Sequence, residues 1–124
     1  MQAFGFASPN TVEEAVALLT ESAGNARVLG GGTDLIALLQ DDLQAPQRVV
    51  DIKQVESMQG ITADGDGVLI GALTTLEEIA ESPLLADYRS LGDVVDGVRA
   101  IQIQQMGTIG GDLCHLPNCW FYRN

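Results

Sequence analysis

Positive charge is scarce in this chain: six lysines and arginines and a single histidine stand against seventeen aspartates and glutamates, for a formal net charge of −11. The six cations, Arg27, Arg48, Lys53, Arg89, Arg99 and Arg123, are scattered along the sequence, which argues against the basic stripe that nucleic-acid binding requires. Cysteine is confined to Cys114 and Cys119, too few for the disulfide framework of a small secreted domain, so free thiols are the expectation. No apolar run approaches the roughly 18 residues needed to span a bilayer, and residues 1–6 lack a basic segment followed by an apolar stretch. A soluble, cytoplasmic protein is therefore expected. The shortage of cations also constrains any phosphate site, because neutralisation would have to come mainly from backbone N–H groups and helix N-termini.

The chain has 124 residues, of which 46% are hydrophobic, enough for one domain with a real core. Phe4 and Phe6 alternate around Gly5 as in a short strand. Thr11-Val12-Glu13-Glu14 forms a capping box that opens a helix over about residues 12–22, with apolar residues at helical spacing. Ala23-Gly24-Asn25 ends it, and Arg27-Val28-Leu29 reads as a buried strand leading through a glycine turn into a helical stretch from Asp34 to Leu39. Another strand is expected over residues 48–52. The runs 61–63 and 68–70 flank Asp64-Gly65-Asp66-Gly67 as a hairpin would, so βα character gives way to antiparallel pairing. A second capping box, Thr75-Leu76-Glu77-Glu78, opens a helix that Pro83 interrupts, and residues 91–101 carry apolar side chains at helical spacing. A soft boundary falls near residues 55–60. Trp120, Phe121 and Tyr122 lie where a free terminus is usually polar, so the chain reads as cut off within a domain.

Two glycine-rich segments carry the functional signal: Gly30-Gly31-Gly32-Thr33-Asp34 and Gly107-Thr108-Ile109-Gly110-Gly111-Asp112. Each sits among apolar residues rather than in a polar linker. Glycine loses more entropy on ordering than any other residue, so such clusters need a reason, and close approach of the main chain to a phosphate-bearing ligand is one. Taken singly, either could be a tight connection between elements. Neither matches the Rossmann G-x-G-x-x-G or the P-loop pattern with its lysine. In the first segment, Thr33 or Asp34 can cap the following helix while consecutive N–H groups form an anion-binding concavity. A carboxylate would repel a diphosphate, so capping or ribose hydroxyl binding suits Asp34 and Asp112 better than phosphate contact.

Together and in this order, Leu29 to Leu35 (LGGGTDL) and Met106 to Cys114 (MGTIGGDLC) resemble the flavin-binding subunits of molybdenum hydroxylases, the xanthine dehydrogenase and carbon monoxide dehydrogenase medium-subunit family. The opening residues 4–19, Val49-Val50-Asp51-Ile52 and residues 69–75 are similar as well, so the resemblance covers essentially the whole chain. It implies an α+β fold, the N-terminal part of a vanillyl-alcohol-oxidase-like (PCMH-type) FAD-binding domain, with one lobe over about residues 1–57 and an incomplete second lobe over about 58–124. It implies FAD as cofactor, with the pyrophosphate and adjacent ribose wrapped by Leu29, Gly30, Gly31, Gly32, Thr33 and Asp34 on one side and Thr108, Ile109, Gly110, Gly111 and Asp112 on the other. The contacts would be mainly backbone, with hydroxyl help from Thr33 and Thr108. Family members more often carry asparagine where this chain has Asp112, which loses an amide donor.

The same resemblance implies an electron-transfer role: electrons from a molybdenum-cofactor subunit pass through an iron-sulfur subunit to FAD and on to NAD or another acceptor, with no catalytic residue in this chain. A truncated, non-catalytic interaction module of the same fold is the alternative, and another FAD oxidoreductase on this fold a third. Cys114 to Arg123 is similar to a branch of the family that holds an extra four-iron four-sulfur cluster, in which Cys119 would be the first ligand; an ordinary buried cysteine is the other reading. Zinc would normally want four ligands, and Cys114, His115 and Cys119 supply three candidates.

Overall fold

The computed structural model describes residues 1–117 and 119–123, so that Asn118, within the cysteine-bearing stretch, and Asn124 lie outside the described residues. Three parallel strands form the first sheet in the order β1 (Gly5–Ala7), β3 (Arg48–Asp51), β2 (Ala26–Leu29). Helix α1 (Val12–Glu21) connects β1 to β2, and α2 (Leu35–Gln40) connects β2 to β3. Parallel strands need such crossovers because a tight turn cannot reverse the chain twice. The register pairs Leu29 with Asp51, which brings the first glycine segment beside the residues that follow β3.

Only β3 is central, and its Val49 and Val50 are fully buried. The sequence reading of residues 27–29 as a buried strand needs correction: β2 is an edge, and Val28 is 45% exposed. Thr11 accepts from the Glu14 amide, but the Glu14 carboxylate takes the Asn10 amide instead of that of Thr11, so the first capping box closes on one side alone.

A two-stranded antiparallel sheet follows, β4 (Ile61–Asp64) and β5 (Gly67–Ile70), with Gly65 at φ 57° in the tight turn between them. Helix α3 (Leu76–Glu81) starts on a complete capping box: the Thr75 hydroxyl accepts the Glu78 amide at 3.2 Å, and Glu78 Oε2 accepts the Thr75 amide at 2.7 Å. Thr75→Ala is expected to cost about 1 kcal/mol, a melting temperature lower by about 4 °C, measured by thermal unfolding.

The expected helix over residues 91–101 is two helices. Helix α4 (Arg89–Gly97) stops, and α5 (Ile101–Met106) begins after a break. The Gln104 side chain donates to the carbonyls of Val95 and Val98 at 3.1 and 2.7 Å, adding to the Val98 amide that Val95 O already accepts and capping the end of α4. Two hydrophobic cores result. One gathers Ala15, Ala26, Val50, Ile52, Val55 and Leu73; the other gathers Leu76, Ile79, Leu85 and Val95. No helix of the described residues is long and apolar enough to cross a membrane.

Candidate functional site

The second glycine segment is the start of a helix rather than a turn. Helix α6 (Ile109–Leu113) contains Gly110 and Gly111, and the Thr108 hydroxyl caps it by accepting the Gly111 amide at 3.3 Å. This helix is knitted to the stretch after β5. Leu76 N–H donates to Gly107 O at 3.1 Å, Ile109 N–H to Thr74 O at 3.0 Å, and Gly110 N–H to Ala72 O at 2.9 Å. Asp112 N–H donates to Thr108 O at 3.0 Å. The amides of residues 109–112 are therefore all committed within the protein, and the expectation that both glycine segments supply free amide donors is corrected for this one. Thr108 is buried and holds its helix.

The first segment is the reverse case. Gly31, Gly32, Thr33 and Asp34 donate no amide hydrogen bond to any described residue. Four successive N–H groups around a bend are a concavity for an anion. Gly32 makes the bend, at φ 84°, a region that residues with a Cβ rarely adopt. Leu29 closes β2 below the bend, its carbonyl accepting the Ile52 amide at 3.1 Å. Asp34 occupies the position before α2 but makes no capping bond there, correcting the capping role read from sequence. Its carboxylate lies 3.3 Å from His115 Nδ1 instead.

The two segments meet directly. A Cβ on Gly31 would coincide with the carbonyl of Met106, and one on Gly30 would lie 3.2 Å from the Thr108 hydroxyl. A Cβ on Gly110 would lie 2.7 Å from Ala72 O. Gly31 and Gly110 thus approach the protein's own main chain, whereas Gly30 meets only side chains and a Cβ on Gly111 would meet only the Thr108 hydroxyl, at 3.1 Å. Thr33 of the first segment and Gly111 and Asp112 of the second are exposed, and the Asp112 carboxyl lies near that of Asp34. Two surface clefts, one walled by Ile79, Pro83, Leu85 and Tyr88 and the other by Pro9, Glu14 and Leu18, lie away from both segments.

Burial raises the Asp112 carboxyl above the ordinary aspartate range; the nearby Asp34 carboxylate adds to this, and His115 opposes both. Because Asp112 keeps contact with solvent, water screens much of the effect. A carboxyl that holds its proton more tightly folded than unfolded favours the fold most at low pH, and that contribution is lost as pH rises from the ordinary aspartate range through the raised one. Asp112→Asn is accordingly expected to raise the melting temperature relative to the parent more at neutral than at acid pH, and to tighten retention of an anionic ligand by about two- to fivefold, the size of one exposed charge interaction.

Composition concealed one residue. Lys53, treated as one of six scattered cations, sits beside the first segment, its Nζ 2.7 Å from Asp51 Oδ1 and 3.3 Å from Gly30 O. The signal was the pairing of two strand-forming runs, which sets residues just after β3 against the end of β2. Cys114 and Cys119 are free and exposed, so the buried reading of Cys119 is corrected. Among the described residues no group of three or more His, Cys, Asp or Glu is placed to hold a metal ion.

Residues 2–118 match the model of a family described as the FAD binding domain in molybdopterin dehydrogenase. The chain is 33% identical over 113 residues to the carbon monoxide dehydrogenase medium chain of Hydrogenophaga pseudoflava, covering 90% of this chain and 39% of the relative. It is 35% identical over 115 residues to the nicotinate dehydrogenase FAD-subunit of Eubacterium barkeri, covering 91% and 39%. The fold superposes with a TM-score of 0.89 and 31% identity on a solved structure of carbon monoxide dehydrogenase from H. pseudoflava, over 92% of this chain and 40% of that one. The chain thus spans 39% of the length of the curated relatives it matches.

Proposed function

This chain belongs to the family of FAD-binding domains of molybdopterin dehydrogenases, whose cofactor is FAD, and from that premise we propose that it forms the flavin-holding part of an electron-transfer subunit in a molybdenum hydroxylase. The observation that carries the reading is the row of uncommitted amides at Gly31, Gly32, Thr33 and Asp34. In a chain of net charge −11, backbone donors of this kind are the main means of binding a pyrophosphate. The pyrophosphate lies over these amides. Leu29 and Gly30 form the floor beneath them, and the Thr33 hydroxyl, which is exposed, contributes a further donor.

The second segment plays a different part. Thr108, Ile109 and Gly110 hold the wall in place through bonds to Ala72 and Thr74 and within α6, while Gly111 presents a face without a side chain to the ligand and Asp112 reaches a ribose hydroxyl. FAD, when bound, supplies the redox chemistry. The residues here bind and orient, and no acid, base or nucleophile is assigned. Electrons would arrive from an iron-sulfur subunit fed by a molybdenum-cofactor subunit and leave to an acceptor, so those two subunits are the proposed partners.

Lobe 1 over about residues 1–57 and lobe 2 over about 58–124 complete the reading. The second core, Leu76, Ile79, Leu85 and Val95, lies wholly within lobe 2 and supports the division, while Leu73 joins the first core and Met58 packs against it, tying the lobes together. Incubation of the purified chain with FAD, removal of free ligand and an absorption spectrum test the proposal: a retained flavin band is expected. A folded, colourless chain would favour the non-catalytic interaction module.

A further inference from the structure

The peptide between Gly30 and Gly31 has no Cβ on either side, so its orientation is set by the contacts and hydrogen bonds around it rather than by side chains of its own. Something must fix it if the Gly31 amide is to serve as a donor in a defined direction. Lys53 is placed to do so. Its ammonium donates to Gly30 O at 3.3 Å and is anchored at 2.7 Å by Asp51 Oδ1, which also accepts the Lys53 amide at 3.1 Å. The Asp51 side chain is only 13% exposed, which keeps this ion pair better ordered than one on open surface.

Peptide planarity turns that contact into a consequence for the cradle. No cis peptide occurs among the described residues, so the Gly30 C=O and the Gly31 N–H point to opposite sides of one plane. With the carbonyl tied to Lys53, the Gly31 amide faces away from the ammonium, the first of the four uncommitted donors. A cation on the carbonyl also polarises the peptide and strengthens its N–H as a donor.

We propose that Lys53 is a positioning residue for the phosphate cradle: held by Asp51, it fixes the Gly30–Gly31 peptide plane and thereby aims the Gly31 amide at the bound pyrophosphate. This rests on the FAD reading above. Lys53 itself does not touch the ligand.

The test reads the peptide and the ligand separately. In the full 15N-labelled chain, Lys53→Met is expected to move the Gly31 amide resonance and to weaken FAD binding by about tenfold, the loss expected for one charge-assisted hydrogen bond. Lys53→Arg, which keeps a charged donor, is expected to restore both. If Lys53→Met does not fold, Asp51→Asn, which keeps Lys53 but removes the charge that anchors its ammonium, is expected to act in the same direction. A Gly31 resonance that stays put, or one that moves while FAD affinity does not, overturns the inference. Should the parent chain hold no FAD, the functional reading fails on its own, and inorganic pyrophosphate becomes the probe; failure of pyrophosphate to perturb Gly31 then overturns the role of Lys53 as well.

Discussion

Gly31→Val is expected to destabilise the protein by about 3 kcal/mol, the upper end of what overpacking costs, and to abolish FAD retention with it. The added Cβ would occupy the position of the Met106 carbonyl, and a backbone oxygen that is followed by the Thr108 bridge to Thr75 and the Leu76 to Gly107 hydrogen bond has little freedom to withdraw. The two glycine segments would have to separate. Thermal unfolding and the flavin spectrum after removal of free ligand should fall together. A variant that melts like the parent would mean that the close contact between Gly31 and Met106 does not hold the segments together.

Gly111→Val separates the two functions that Gly31 combines. Its Cβ meets no backbone within reach and only the Thr108 hydroxyl, at 3.1 Å, so the fold is expected to survive with a loss of no more than about 1 kcal/mol, the cost of disturbing the Thr108 cap. Flavin retention is nevertheless expected to disappear, because the branched side chain would stand on the face proposed to lie against the ligand. Gly111→Ala should show the same loss in milder form. The pair of variants distinguishes a glycine needed for packing from one needed for binding: a stable Gly111→Val that keeps its flavin would count against the placement of the cofactor.

These contrasts bear on what the sequence could disclose. The strand and helix pattern was legible wherever local rules act alone: the Thr75 capping box, the Asp64 to Gly67 hairpin and the stop before Pro83 all rest on residues within a few positions of each other. It was less legible where a distant group decides. Nothing local to Val95 and Val98 announces that Gln104 will take their carbonyls, so two helices read as one. The second glycine segment read as a turn because glycine disfavours helices, but Thr108 caps it and the stretch from Ala72 to Thr74 supplies acceptors for its first amides. Both glycine segments were visible as motifs. Their division of labour was not, since it depends on which amides the rest of the fold consumes. Asp34 illustrates the same limit: adjacent to a helix start, it suggested a cap, and the approach of His115 from the far end of the chain draws its carboxylate elsewhere.

The measurement that tests the central claim most directly is the stoichiometry of FAD bound by the purified chain, read from its absorption spectrum after free flavin is removed, with Gly111→Val alongside. About one FAD per chain in the parent and none in a folded Gly111→Val is the expected result. A parent chain that is folded and colourless at saturating FAD would contradict it.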